Sequence, residues 1–357
     1  MRPVIRFVSV LICLPLASLA LSGCVLQRGS VEHQMATYIG MEEGQDFVIE
    51  GEFQRSYLGM ERVGFGTVVD GSYERYLLSS DDEFERDGLE LRLSKRFSDR
   101  WQIQAAYSYA EGDGRAEASV EGGGSTDQAL TYATPQAISG YSTSTGLFLG
   151  NSYGLDGVID SSNAWSRLSF GAVRTHEVDD QSVIRFGVGG YFEDIQTEHQ
   201  ADVYGTYMGS PWGGIRQASY VKLSDRYVGL QFDLSYDRVF GTPTPTYAGV
   251  SGFLAFANRE GRGDLQQGNF CGVCGSGNTF EQRLYVDEDD FATTYGLRAN
   301  AGIVLGEKLD LRLSYEWSQL GDVTQVRTPA NPSEQPATFF NDDAERHFFG
   351  IGARLRY

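Results

Sequence analysis

The sequence predicts an all-β fold, an antiparallel up-and-down β-barrel of about ten strands that crosses a membrane, or twelve if Thr131–Leu149 holds a further hairpin. Three observations predict it. The last stretch, ERHFFGIGARLRY, puts Phe349, Ile351, Ala353, Leu355 and Tyr357 on every second position, the period of a strand with one apolar face. The same alternation recurs in hairpins along the chain. Short and long connections then take turns, which a soluble sandwich has no reason to do.

Composition agrees with this. Glycine is abundant (44 residues), proline scarce (9), and tyrosine and phenylalanine, 20 and 21, suit strands and interfacial belts. Mean hydropathy is slightly negative, and no apolar run after Ala20 is long enough for a spanning helix. A barrel strand shows lipid only at every second residue, so its average hydropathy is modest. The net charge of −19 excludes nucleic acid as a partner, because phosphate binding needs clustered Lys and Arg.

Residues 1–23 read as a signal peptide: Arg2 and Arg6, an apolar run from Phe7 to Ala20, then Leu21-Ser22-Gly23-Cys24. The last four residues resemble a lipobox, which implies lipidation at Cys24; the alternative is ordinary cleavage nearby. Residues 24–45 read as a polar tether and 46–357 as a single barrel domain. Residues 46–78 should hold the first strand, with alternation visible at Val63–Val68. Leu89, Leu91 and Leu93 lead through a turn at 98–100 into Trp101, Ile103, Ala105, Tyr107 and Tyr109. Further hairpins turn at 178–181, 241–245 and 306–308. The stretches at 112–162, 196–219, 260–288 and 326–344 read as long loops rich in Gly, Ser, Thr, Asn or Pro. Cys271 and Cys274 fall in one of them. The reading is a small disulfide, with free thiols or a metal as the alternative.

The closing strand resembles the terminal strand of bacterial outer-membrane barrels. In that family Phe349, Ile351, Leu355 and Tyr357 would be the signal read by the barrel assembly machinery. The resemblance implies an outer-membrane location, short periplasmic turns, long extracellular loops, and contact with outer-membrane lipids and lipopolysaccharide. A weaker likeness, on Tyr295-Gly296-Leu297-Arg298 and Gly302 leading into Leu309–Trp317, is to the pore-forming major outer-membrane proteins of the Legionella type.

Alternation assigns the inward charges: Glu90, Arg92, Arg167, Arg185, Glu193, Asp233, Asp237, Arg298, Asp310, Arg312, Glu316, Arg354 and Arg356. They make either an ion-pair network filling a narrow lumen or the wall of a small charged pore. Arg298, Arg312, Arg354 and Arg356 should form one basic stripe, partly neutralised by Asp310 and Glu316. Asp81-Asp82-Glu83, Asp287-Glu288-Asp289-Asp290 and Asp342-Asp343 should ring the outer mouth, attracting cations or standing as solvated loop ends. No cofactor and no metal is expected, since no calcium-loop spacing occurs. Of the four histidines, only His199 and His347 could face an outer active site, and neither has a visible Ser or Asp partner, so an enzyme is not expected. The functional expectation is a small or gated, cation-leaning pore. The alternative is a closed structural or interaction barrel whose outer loops meet lipopolysaccharide, neighbours or other cells.

Overall fold

The computed structural model describes residues 47–357 apart from 71–72, 81–82, 99, 122–152, 209, 241–244, 272–277, 306–308 and 328–336. The signal, tether and Cys24, the segment 131–149, Cys274, and Asp81 with Asp82 lie outside the described residues. Twelve strands follow in order: β1 (Phe47–Gly59), β2 (Gly64–Asp70), β3 (Tyr73–Ser79), β4 (Glu83–Ser98), β5 (Trp101–Glu121), β6 (Tyr153–Asp179), β7 (Ser182–Tyr207), β8 (Ser210–Phe240), β9 (Thr246–Cys271), β10 (Asn278–Val304), β11 (Leu309–Arg327) and β12 (Thr338–Arg356). Ten of them close a barrel in the order β1-β12-β11-β10-β9-β8-β7-β6-β5-β4, and β2-β3 form a separate hairpin.

The seam closes because β12 runs antiparallel to β1 from Val48↔Arg356 to Leu58↔Arg346. The backbones of Phe47 and Tyr357 exchange hydrogen bonds of 3.2 and 2.9 Å at its end. Phe349, Ile351 and Tyr357 point outward and are exposed. The first strand is Phe47–Gly59, whereas Val63–Val68 belongs to the β2–β3 hairpin. The alternation of Glu50, Glu52, Gln54 and Ser56 was the better signal, because its inward face is polar rather than apolar.

Much of what reads as long loop is strand. A membrane needs about 9–11 residues of a tilted strand, yet β6 to β10 each run 26 to 31 residues. The strand β7 shows how. Its outward residues Ile184, Phe186 and Val188 are exposed and apolar, as lipid requires. Above Phe192 the pattern inverts: Asp194, Gln196, Glu198, Gln200 and Asp202 face out, while Ile195, Ala201 and Val203 are buried inside. Polar outward positions among small residues look like loop in a sequence, but they fit the water-facing side of an extended barrel wall.

An exposed apolar belt encircles the lower half, including Leu91, Ile103, Phe170, Leu230, Leu297, Leu313 and Ile351. Phe97, Trp101, Phe240 and Tyr357 edge it toward the short turns, and Tyr295 and Trp317, packed edge-on at 5.8 Å, edge it above. Above the belt the wall is uneven. The pairing of β10 with β11 ends at Thr294↔Leu320, and β4 ends at Glu83, while β5 to β10 continue upward. Their concave inner face carries Leu155, Ile159, Ile195, Val203, Val221, Leu223 and Leu265, buried beneath residues of the β2–β3 hairpin such as Phe65, Leu77 and Leu78. The tip of β11–β12 turns inward after a bulge between Leu320 and Val323, where Asp322 takes a positive φ of 58°.

Candidate functional site: the filled lumen

In the membrane half, inward positions bring seven arginines (Arg92, Arg167, Arg185, Arg298, Arg312, Arg354, Arg356) to seven carboxylates (Glu50, Glu52, Glu90, Asp233, Asp237, Asp310, Glu316). Arg298 reaches Glu52 at 2.7 Å and Glu90 at 2.9 Å. Arg312 bridges Glu50 at 2.9 Å and Glu52 at 2.8 Å. Arg354 binds Glu50 at 2.7 Å, and Arg356 binds Asp310. Arg92 meets Glu90 at 3.1 Å, and Arg185 meets Asp237. Arg167 on β6 meets Glu316 on β11 at 2.9 Å. Those two strands stand five apart in either direction round the ten-stranded ring, so this pair spans the barrel's diameter. Glycines make room for the lattice: a Cβ at Gly350 would lie 2.0 Å from Glu52 Oε1.

The arginines of β10, β11 and β12 therefore do not make a stripe that Asp310 and Glu316 alone offset. Glu50 and Glu52 of β1 and Glu90 of β4 complete the neutralisation. The first two escaped the sequence reading because β1 was not delimited. A cavity of about 190 Å³ remains beside the lattice, touching Gln104, Arg185, Gln231 and Asp233.

A second layer lies above the lattice. Glu193, itself fully buried, accepts hydrogen bonds from Trp165 Nε1, Tyr191 and Arg346. Arg346 on β12 and Glu193 on β7 again face each other across the full diameter. The Arg346 guanidinium lies 4.5 Å from the Trp165 ring centre and 4.9 Å from that of Phe348, and those two rings are 4.9 Å apart. Beside them Arg259 binds Asp225 at 2.7 Å, and Asp225 accepts 2.7 and 3.0 Å bonds from the Thr324 side chain and backbone, which ties down the β11–β12 tip. Arg86, Arg259, Arg346 and Asp225 were missed because they lie where the outer face has already turned polar, so no apolar alternation marks those parts of their strands. Among the described residues the lumen is thus filled twice over, by ion pairs and then by packed rings, before the apolar upper core begins.

The acidic clusters sit elsewhere than a lumen mouth. Asp287–Asp290 lie within β10, exposed, along the stretch that has no β11 partner. Asp287 pairs with Arg262 at 3.2 Å, and Glu288 accepts from Asn341 at 2.8 Å. The strand continues from there up to Asn278. Asp342 and Asp343 lie in β12 at the β11 bulge, where Asp343 accepts from Gln319 at 2.6 Å. Glu83 begins β4 opposite Gly59. Charged residues along an unpaired strand edge keep other strands from adding to it. Among the described residues no group of three His, Cys, Asp or Glu side chains is arranged to hold a metal ion.

The histidines separate. His347 faces outward in the upper aromatic girdle, 2.8 Å from the Tyr315 hydroxyl. His199 lies in β7 rather than in a loop. It is buried among Phe65 and Phe84, with its Nδ1 2.9 Å from Ser161 Oγ. Burial pulls its pKa down to about 4. An unfolded histidine titrates near 6.5, so below that pH the unfolded chain takes a proton that the folded one refuses. The resulting stability is present above pH 6.5 and lost as pH falls toward 4, about 3 kcal/mol in all. The urea midpoint of the wild type should therefore fall between pH 6.5 and 4 relative to that of His199→Leu. Parallel profiles for the two proteins would contradict this account of the buried imidazole.

A closed antiparallel barrel with an apolar belt between two aromatic edges has one setting in which that belt is covered. The chain is an outer-membrane β-barrel. Solved structures with which the barrel aligns include the outer membrane protease OmpT from Escherichia coli (7% identity, 87% of this chain and 97% of that one, TM-score 0.43). They also include the attachment invasion locus protein Ail of Yersinia pestis in complex with the heparin analogue sucrose octasulfate (9%, 88% and 100%, TM-score 0.29) and a FadL homologue from Pseudomonas aeruginosa (9%, 87% and 90%, TM-score 0.29). These likenesses concern the fold alone. No protein-family model matches the sequence, and no curated protein does either.

Proposed function

We propose that this barrel is closed and serves as a structural and interaction platform, with its tall extracellular half as the working surface. The observation that carries the reading is the pair of cross-diameter contacts, Arg167–Glu316 and Arg346–Glu193, stacked one above the other in the lumen. A small pore needs a continuous water path, and these contacts stand across it. The alternative, a gated cation-leaning pore, would require both layers to part. The reading is non-catalytic: His199 pairs with a serine inside an apolar core, and His347 faces the membrane interface.

The outward face above the belt carries carboxylates on β6, β7, β9 and β10, among them Asp160, Asp194, Asp202, Asp264 and Asp287, four of them beside arginines. Such a face fits lipopolysaccharide, whose phosphates would share divalent cations with it, since hard cations prefer oxygen ligands. Phe349, Ile351, Leu355 and Tyr357 are the segment we assign to recognition by the barrel assembly machinery.

Conductance tests the closed state. The refolded protein in planar bilayers should give no channel steps. A variant lacking residues 64–79 should give none either, because the charge lattice and the Trp165 layer stay in place without the hairpin. Discrete steps from the wild type would return the weight to the pore; steps from the deletion alone would make the hairpin a gate.

A further inference from the structure

Arg86 is the one buried guanidinium in the described lumen without a carboxylate partner. It sits just above the apolar belt, since its outward neighbours Glu85 and Asp87 are polar and pair with Arg55. Its side chain is 1% exposed. Its Nη1 donates to Asn163 Oδ1 at 2.9 Å, a neutral acceptor, while Nε and Nη2 have no hydrogen-bond partner. Two further unpartnered buried groups belong to the same layer. Ser56, whose Oγ is unpartnered, stands directly opposite Arg86 in the β1–β4 register, and Arg346, whose Nη2 is unpartnered, stands two residue pairs above on the other side of β1, where Leu58 pairs with Arg346.

Among the described residues the charge of this layer does not balance. Arg86 and Arg346 face a single carboxylate, Glu193, which Arg346, Trp165 and Tyr191 already occupy. His199 above is neutral, and the seven-to-seven lattice below is complete. Burial and the neighbouring Arg346 pull the Arg86 pKa down to about 9, with Glu193 opposing them. At neutral pH the group is still charged. An isolated buried charge costs far more than one barrel can spare, so a compensating partner is required. Water could answer the stray N–H groups, but it could not supply the missing negative charge.

We propose that Arg86, Arg346 and Ser56 hold one small monovalent inorganic anion of the chloride class, enclosed between the charge lattice and the apolar upper core. The donors it would take are the unpartnered ones of this layer: Arg86 Nε and Nη2, Arg346 Nη2 and the Ser56 hydroxyl. The Gln54 carbonyl oxygen, also unpartnered and two residues below Ser56, marks the lower limit, because an anion is repelled by an acceptor. The anion makes the wall here neutral and ties β1, β4 and β12 together at the seam of the barrel.

The test uses the refolded full chain in detergent. Urea unfolding midpoints are measured in sodium chloride, bromide or nitrate against sodium gluconate at equal ionic strength, since gluconate is too large to enter. The wild type should gain stability with halide in a saturable way, as a ligand of the folded state does. Arg86→Gln should lose that dependence and be no less stable than the wild type in gluconate. Retained heat-modifiable mobility on electrophoresis would show that the variant folds. Crystals of the wild type grown from bromide should carry an anomalous peak within hydrogen-bond distance of Arg86 Nη2, a readout that stands even if the variant does not fold. Equal midpoints in all salts, an unchanged halide dependence in Arg86→Gln, or water density without an anomalous peak would each overturn the proposal.

Discussion

Arg298→Met will destabilise the barrel by about 3–5 kcal/mol, the usual cost of removing one partner from a buried ion pair. Arg298 sits between Glu52 and Glu90, and those two residues stand directly opposite each other in the β1–β4 register. Without the guanidinium, two buried carboxylates face each other with Arg312 and Arg92 as their remaining counter-charges. The loss comes from the stranded charges more than from the missing contact. Glu52→Gln added to Arg298→Met should therefore recover much of it, because removing both members of a buried pair keeps the lattice balanced and leaves Arg312 on Glu50 and Arg92 on Glu90. Urea unfolding of the three proteins measures this. If the double variant were no better than Arg298→Met, the arginine would act by filling space and not by balancing charge.

Ile351→Arg will cost about 2–4 kcal/mol in a bilayer, the penalty for a charge on the lipid face near the membrane midplane. Ile351 is 68% exposed and stands between Phe53 on β1 and Leu313 on β11, both outward and apolar. The effect should be large in lipid vesicles and small in a mild detergent that lets water reach the belt. On β7, Gln200→Arg, higher on the outward face, should cost almost nothing in either. The comparison sets the upper limit of the membrane. An equal penalty at both positions would place lipid along the extended wall and undo the division into membrane and extracellular halves.

Several features were legible before any coordinates. The pairing of β4 with β5, β6 with β7, β8 with β9 and β10 with β11, the closing strand and the inward side of each charged residue all follow from period two, because a strand must show alternate residues to alternate solvents. That rule holds wherever one face meets lipid. It failed above the belt, where both faces carry mixed residues. Gln196 to Asp202 and Asp287 with Glu288 therefore looked like loop, although β7 and β10 run straight through them. His199 looked solvated for the same reason.

The sequence by itself determined the class of fold, the closing strand and which charges face inward, since these depend on neighbours one or two residues away. Tertiary structure alone decided who pairs with whom. Arg167 and Glu316 are separated by 149 residues, and Arg346 and Glu193 by 153, and each pair meets only because ring closure sets β6 against β11 and β12 against β7. The same closure brings the carboxylates of β1 and β4 to the arginines of β10, β11 and β12, turning what alternation could describe only as a list of inward charges into a filled lumen. No local pattern encodes a distance across a barrel, because that distance is fixed by the number and tilt of all the strands together.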